Sequence, residues 1–282
     1  MRDQSGYFIN QELVEEMVRL NRQAYLVTRE MGGALPEPLP VAAWQDVLDL
    51  ACGPGEWVMQ IARSYPHLRQ VIGVDKSQRM IAYANAQAEA EEEQKVSFRV
   101  MDVTQPLAFP DHSFDLVNGR FLLSFMRREQ WPLLLAECVR ILRPGGVLRL
   151  TEQESGYTND GVYQRYIDLW GDAWRKAGHA FALTHAYVGL TVVLKPMMQK
   201  AGLVNPAHRP VSIDLSTGQP AHSDLLKNLA EALRLAEPFL LRTGVMTQRE
   251  MAKLHAQMES LVGKAGFCAY WLLQTVWAFK PE

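Results

Sequence analysis

Short apolar runs alternate along this chain with longer amphipathic stretches, a pattern that predicts strands followed by helices. The predicted strands are an apolar run from Val47 that ends in the acid Asp49, and residues 71–75, 96–100, 114–118 and 147–152. The segments between them are compatible with helices, and the alanine-rich stretch 80–90 has Ser77 as its expected N-cap. Strands that alternate with helices predict an α/β fold with a mostly parallel sheet and helices on both faces.

The loop after the first strand, Asp49-Leu-Ala-Cys-Gly-Pro-Gly55, predicts a cofactor site. Ligands of open α/β sheets collect at the carboxyl ends of parallel strands, and Gly53 and Gly55 place no side chain between the backbone and a ligand. The alternative is an ordinary strand-to-helix turn that uses glycine.

Phosphate is a poor candidate for the group bound there. A dinucleotide fold would carry a third glycine where this chain has Val58, and a triphosphate loop would continue with Gly-Lys-Ser/Thr. The acids Asp49 and Glu56 instead favour a ligand that carries an ammonium and a sulfonium, such as S-adenosyl-L-methionine.

Two further acids end the next two strands at nearly constant spacing. Asp75 follows Asp49 by 26 positions, where a carboxylate is placed to accept the two hydroxyls of a ribose. Asp102 follows 27 positions later, and with Val103 it is expected to bind the adenine amino group and pack against the ring.

In this order and spacing the chain resembles the class I S-adenosylmethionine-dependent methyltransferases over roughly residues 44–155. Within them it is similar to the small-molecule enzymes of ubiquinone and menaquinone synthesis and of natural-product tailoring. The resemblance is carried by the Asp49–Gly55 loop, Asp75, Asp102-Val103, Phe114–Asn118 and Arg140-Ile-Leu-Arg-Pro-Gly-Gly146.

That resemblance implies a Rossmann-like, seven-stranded, mostly parallel sheet in which a last strand, Tyr270–Phe279, inserts antiparallel. It also implies S-adenosyl-L-methionine as cofactor and S-adenosyl-L-homocysteine as product. The cofactor-binding residues it implies are Asp49, Ala51, Gly53, Gly55, Asp75, Lys76, Met80, Asp102, Val103, Asn118, Gly119 and Phe121.

Two departures from related enzymes bear on the chemistry. Many relatives carry a histidine shortly after the fourth strand, where this chain has Phe125. The stretch Asn118-Gly-Arg-Phe121 also differs from the Asn/Asp-Pro-Pro-Tyr signature of enzymes that methylate amino groups of bases, so methylation of nucleic-acid amino groups is disfavoured.

Composition agrees with a soluble enzyme. Lys and Arg total 29 against 31 Asp and Glu, so no general attraction to nucleic acid is expected. No run approaches the roughly 18 apolar residues of a membrane span, and the start Met1-Arg-Asp-Gln-Ser-Gly does not resemble a signal peptide, so we expect a cytoplasmic protein. The three cysteines lack metal-ligand spacing, no metal is expected, and the chain is expected to be a monomer or a homo-oligomer.

Outside the motif block, the sequence predicts a helical N-terminal lid and helical insertions. The expected divisions are a lid at 1–40, a cofactor-binding core at 41–155, an aromatic-rich substrate cap at 156–195, and 196–282 completing the sheet with extra helices at 221–262. Apolar residues of the N-terminal helix recur at helical spacing, so it either covers the cofactor mouth or packs on the sheet edge. Tyr7, Tyr25 and Met31 are the candidates there for contact with cofactor or substrate.

Aromatic residues crowd the segment after the fifth strand and are candidates to line the substrate pocket. Four of them lie at helical spacing, so plain core packing is the alternative. The substrate-binding candidates are Tyr25, Tyr157, Tyr163, Tyr166, Trp170 and Trp174.

The expected reaction is an in-line methyl transfer to a small apolar or aromatic metabolite. A base is needed only if the acceptor must lose a proton, and Glu152, Glu154, His179 and His185 are placed to supply one. Each has a structural alternative, a carboxylate that binds a loop backbone or a histidine on a solvated face. A non-catalytic module that binds the cofactor, and an RNA or protein methyltransferase, stay open as other functions.

Overall fold

The computed structural model describes residues 8–182 and 187–282, and its centre is one seven-stranded sheet in the order β3-β2-β1-β4-β5-β7-β6. β1 to β5 pair in parallel, and β7 pairs antiparallel with β5 and β6. This confirms the predicted sheet and its antiparallel last strand. The strands are β1 Asp46–Leu50, β2 Gln70–Asp75, β3 Val96–Val100, β4 Phe114–Arg120, β5 Leu142–Thr158, β6 Val204–Asp214 and β7 Ala269–Phe279.

Helices cover both faces of this sheet. Neighbouring strand residues belong to different cores, since Val47 packs in one apolar cluster and Leu48 in the other. Burial on both faces explains why the central strands read as continuous apolar runs. The helices are α1 Val14–Met31, α2 Glu56–Ser64, α3 Gln78–Ala90, α4 Trp131–Ile141, α5 Gly161–Lys176, α6 Leu190–Lys200, α7 His222–Thr243 and α8 Gln248–Ser260.

β5 is longer than the sequence predicts, and it runs across the expected division at residue 155. Its pairing with β7 shifts register between Gln153 and Gly156, so two β5 residues face one residue of β7 there. A Cβ on Gly156 would collide with the carbonyl oxygen of Tyr270, which explains the glycine. The bulge places Gln153 to Gly156 along the wall of a cavity.

α1 joins α5, α7 and α8 in a helical layer over the carboxyl ends of the strands. The Arg19 guanidinium binds both oxygens of Glu16 and the side-chain oxygen of Asn228 on α7. The buried face of α1 therefore carries an ion pair. The predicted apolar face is only partly buried, because Leu20 and Ala24 line the cavity instead.

The described part of the chain contains no helix with the length and apolar character needed to cross a bilayer. The four-part division of the chain stays a prediction.

Candidate active site

A cavity of about 170 Å³ lies at the carboxyl ends of β1, β2, β4 and β5, beneath α1, α5 and α7. A smaller cavity of about 20 Å³ lies beside it and is lined by Lys76, Met101, Asp102 and Val103, among others. Ala51, Asp75, Gln11 and Phe125 line both cavities and so mark the junction between them.

The two loop glycines serve different purposes. Gly53 lines the large cavity, and the nearest atom to a Cβ there would be Leu20 Cδ1 of α1, 4.0 Å away. Gly55 has φ 88°, and a Cβ there would lie 2.6 Å from the Phe98 ring. Gly53 thus leaves room above the backbone, while Gly55 is required by its conformation and by β3 packing.

Asp75 is buried at the end of β2 with both oxygens held by the backbone. Its Oδ2 accepts from the Gly53 N–H and its Oδ1 from the Ser77 N–H, each at 2.9 Å. Desolvation raises the pKa of this carboxyl, although the backbone hydrogen bonds oppose the shift. The carboxylate is oriented by the glycine loop and retains lone pairs at the junction of the two cavities.

Asp102 follows β3 and lies on the smaller cavity. Lys76 Nζ pairs with its Oδ2 at 2.9 Å, and the Thr104 N–H and hydroxyl donate to its Oδ1. Desolvation alone would raise the pKa, but these hydrogen bonds lower it, so the group is a carboxylate at neutral pH. Val103 packs beside it, buried and apolar.

Asp49 ends a hydrogen-bond chain that crosses the sheet. Glu37 binds Arg149 with two hydrogen bonds of 2.9 and 3.0 Å, Arg149 donates to the Asn118 amide oxygen, and the Asn118 amide nitrogen donates to Asp49 Oδ1 at 2.7 Å. All four side chains are buried. Desolvation raises the pKa of Asp49 to about 6, opposed by the nearby Arg120 charge.

Arg120, at the end of β4, places a cation beside Asp49 on the cavity wall. Burial lowers its pKa to about 10, so it remains protonated at neutral pH, and its Nη1 donates to Thr28 of α1. Asp49 and Arg120 therefore present opposite charges to the same end of the cavity, which suits the ammonium and carboxylate of an amino acid.

Aromatic rings form much of the remaining wall. The predicted residues Tyr163, Tyr166, Trp170 and Trp174 of α5 all line the cavity, with Tyr163 stacked on Tyr166 at 5.7 Å. Tyr25 and Tyr157 do not line the cavity, contrary to the prediction. They are 54% and 67% exposed on the surface.

The candidate bases mostly bind backbone. Glu152 is fully buried and accepts from the Leu122 and Leu123 N–H groups, while the His179 Nδ1–H donates to the Leu123 carbonyl. Neither side chain lines the cavity, and together they hold the turn after β4.

Glu154 does line the cavity. Its oxygens accept from the Val188 and Gly189 N–H groups and the Thr191 hydroxyl at the start of α6. His185 and the lid candidate Tyr7 lie outside the described residues.

Other predicted contacts lie away from the cavities formed by the described residues. Met80 and Met31 are buried in the core, Gly55 packs on Phe98, and Gly119 packs closely against Leu122 and Leu150. Asn118 lines neither cavity, but its side chain donates to Asp49, which does line the large one. Phe121 lines the cavity in a left-handed conformation, φ 58°, which is costly for a bulky residue and recurs at functional sites.

Several residues of the cavity wall were not predicted from the sequence. Arg120 lies within the stretch Asn118–Phe121, and its charge at the end of a strand was an available signal. Gln153 and Trp271 are 118 positions apart, and their hydrogen bond exists only because β7 pairs with β5. Within the described ranges, no group of three His, Cys, Asp or Glu side chains is placed to hold a metal ion.

Comparison with known proteins identifies the central part of the chain. Residues 47–146 match a family model described as a methyltransferase domain. The chain is 29% identical over 124 residues to demethylmenaquinone methyltransferase of Lactococcus lactis, covering 44% of this chain and 47% of that protein. It is 32% identical over 124 residues to 27-O-demethylrifamycin SV methyltransferase of Amycolatopsis mediterranei, covering 44% of each. The chain spans about half the length of the curated relatives it matches.

A solved structure extends the likeness beyond the matched core. Haemonchus contortus phosphoethanolamine N-methyltransferase 2, in complex with S-adenosyl-L-methionine, superposes with a TM-score of 0.53 at 20% identity, covering 93% of this chain and 53% of that one. At 20% identity, this likeness shows a shared fold and nothing further. The family match and the sheet order both agree with the resemblance noted in the sequence: residues 47–146 are similar to a methyltransferase domain.

Proposed function

We propose that this chain is an S-adenosyl-L-methionine-dependent methyltransferase whose acceptor is a small apolar or aromatic metabolite. The observation that carries the proposal is that three acids, Asp49, Asp75 and Asp102, end neighbouring strands and line two adjoining cavities. The three acids have different surroundings, as is needed to bind the adenine, the ribose and the amino-acid end of the donor.

The residues present fit the donor. The Asp75 carboxylate would accept the ribose hydroxyls, since the Gly53 and Ser77 N–H groups already orient it. Asp102 and Val103, beside the smaller cavity, would hold the adenine. Asp49 and Arg120 would bind the ammonium and carboxylate of the amino-acid end.

The donor supplies a methyl group activated by a sulfonium: the methyl carbon bonds to the acceptor nucleophile, and the sulfur keeps the electron pair of the broken bond. The chain contributes binding and orientation, which account for much of the acceleration in such a displacement. Leu20 and Ala24 of α1 line the cavity, and Leu20 lies on the side of Gly53.

The aromatic wall supports a small, ring-bearing acceptor. Tyr163, Tyr166, Trp170 and Trp174 offer apolar faces, and Phe121 stacks on Trp271 with ring centroids 5.9 Å apart. The names of two relatives refer to a menaquinone precursor and a rifamycin, both small molecules.

Calorimetry with S-adenosyl-L-methionine and with S-adenosyl-L-homocysteine tests the donor site. We expect dissociation constants tighter than millimolar, and a loss of at least tenfold in Asp75→Asn. Asp111→Asn is a matched control, because Asp111 is exposed and pairs with Arg140 away from the cavity.

Turnover against a panel of small aromatic metabolites then separates an enzyme from a non-catalytic cofactor-binding module, which would bind the donor without product. If the wild-type chain binds neither nucleoside, the proposal is wrong. If it methylates RNA or protein and none of the panel, the assigned acceptor class is wrong.

A further inference from the structure

The orientation of the Gln153 amide is determined by a neighbouring ring. Gln153 lines the cavity at the end of β5, and its Oε1 accepts from the indole N–H of Trp271 at 3.2 Å. An indole nitrogen can only donate, so the amide oxygen must face Trp271 and the amide nitrogen is left to donate elsewhere. On this wall, Gln153 therefore offers donors.

Gln23, on α1, follows the same rule. It lines the cavity from α1, and its Oε1 accepts from Arg19 Nη1 at 2.6 Å. Guanidinium nitrogens also only donate, so the Gln23 amide nitrogen is the group left to donate. The buried Glu16 carboxylate holds Arg19 in place with two further hydrogen bonds, which keeps this orientation fixed.

A third donor lies in the aromatic wall. The indole Nε1 of Trp174 is buried and has no hydrogen-bond partner among the described residues, although Trp174 lines the cavity. Because this nitrogen is closed off from solvent, a ligand in the cavity does not reach it directly, and the donors available to a ligand are the two amides.

The carboxylate of this wall is already occupied. The Glu154 oxygens accept from two backbone N–H groups and the Thr191 hydroxyl, so protein donors take up much of their capacity. Gln153 and Gln23 thus leave amide donors on side chains that line the cavity, and the complementary ligand brings lone pairs or negative charge on oxygen.

We propose that the methyl acceptor is a planar phenol or enol that binds as its oxyanion, with the oxygen held by the amide nitrogens of Gln153 and Gln23. This inference rests on the proposed function and specifies its substrate class. Planarity follows from the aromatic rings of Tyr163, Tyr166 and Trp271, which line the same cavity. Gln153 is assigned as a residue that determines specificity.

The test is calorimetric and needs no turnover. With S-adenosyl-L-homocysteine saturating, the probe 6-hydroxy-2-acetonaphthone is compared with 2-acetonaphthone, which has the same frame without the hydroxyl. We expect the hydroxylated probe to bind wild type at least tenfold more tightly, and the preference to grow as the pH rises and the hydroxyl ionises.

Gln153→Glu keeps the acceptor that Trp271 requires but replaces the donor with a negatively charged oxygen. We expect it to abolish the preference for the hydroxylated probe while the affinity for S-adenosyl-L-homocysteine changes less than threefold. Trp271→Phe retains a ring to stack on Phe121 but releases the amide, so the preference should fall only in part. Gln94→Glu, on the surface far from the cavity, is the matched control and should behave as wild type.

The outcomes separate the two proposals. If wild type does not bind S-adenosyl-L-homocysteine, the proposed function fails. If it binds that nucleoside but binds both naphthones equally, or if Gln153→Glu keeps the full preference, this inference alone is overturned.

Discussion

The Asn118 side chain donates its amide N–H to Asp49 Oδ1 at 2.7 Å, and this contact orients the acid that faces the cavity. The orientation of Asn118 is itself determined, because its amide oxygen accepts from Arg149 at 2.8 Å. A residue of β5 thereby governs a carboxylate on β1, with β4 between them. The site is built across the sheet as well as along its loops.

Donor affinity should depend on pH through Asp49. Burial raises the pKa of this carboxyl to about 6, so it is ionised at pH 7.5 and protonated at pH 5. Because the ammonium of the donor is attracted only to the carboxylate, the dissociation constant of S-adenosyl-L-homocysteine should rise up to about tenfold as the pH falls from 7.5 to 5. Calorimetry across this range measures the effect.

Asp49→Asn supplies the control for that measurement. It should bind more weakly at pH 7.5 and lose the part of the pH dependence that belongs to Asp49, leaving any contribution from Asp75. Identical pH profiles in wild type and Asp49→Asn would show that Asp49 does not sense the ligand charge.

Removing one member of the buried pair Glu37 and Arg149 should lower the free energy of unfolding much more than removing both. Both side chains are fully buried and joined by two hydrogen bonds. Arg149→Met leaves the Glu37 carboxylate buried without its partner, so we expect a loss of about 3–5 kcal/mol in the free energy of unfolding. Urea unfolding followed by circular dichroism measures it.

In the double variant Glu37→Leu with Arg149→Met, both charges are gone and most of that loss should be recovered. The donor affinity of the double variant should nevertheless fall, because Asn118 is no longer held. A single Arg149→Met variant that loses less than about 1 kcal/mol would contradict the pairing.

The parts of the site that the sequence predicted are those carried by local patterns. Asp49, Asp75 and Asp102 each follow an apolar strand, and the spacing of successive βα units brings such strand ends to one edge of a parallel sheet. The adjacent glycines mark the loop because close approach and positive φ need them. Each of these acids and glycines lies within a few residues of the end of a strand.

The parts that were missed depend on contacts between distant segments. Glu37 lies in a proline-rich stretch that gives no sign of its partner 112 positions later, and only folding brings it to Arg149. In α1, the apolar stripe predicted one buried face, but Glu16 and Arg19 are buried because Asn228 of α7 meets them there. The apolar side of the helix borders a cavity, so the spacing of apolar residues did not predict which side is buried.

Glu152 should make the protein less stable as the pH rises toward 8. Burial raises the pKa of this carboxyl to about 8 from an ordinary value of 4.5, although the Leu122 and Leu123 N–H groups oppose the shift. Between these values the folded chain keeps a proton that the unfolded chain has lost. This group should therefore lower the free energy of unfolding by about 1.4 kcal/mol per pH unit from pH 5 to pH 8.

Glu152→Gln is neutral at every pH and should flatten that slope. Urea unfolding at pH 5, 6.5 and 8 gives the comparison, and the variant should gain on wild type as the pH rises. An unchanged slope would show that the carboxyl is ionised throughout.

Glu154 should prove to be an anchor for a loop, although it lies on the cavity wall where a base would act. Its oxygens accept from Val188, Gly189 and Thr191 and so hold the start of α6. Glu154→Gln keeps one acceptor oxygen and replaces the other with a donor that faces the same N–H groups. We expect it to lose about 1–3 kcal/mol in the free energy of unfolding and to lower kcat/KM. If Glu154 were the general base, the acidic limb of the pH profile of kcat/KM would disappear in the variant; if it is an anchor, the limb keeps its midpoint and only the height of the profile changes.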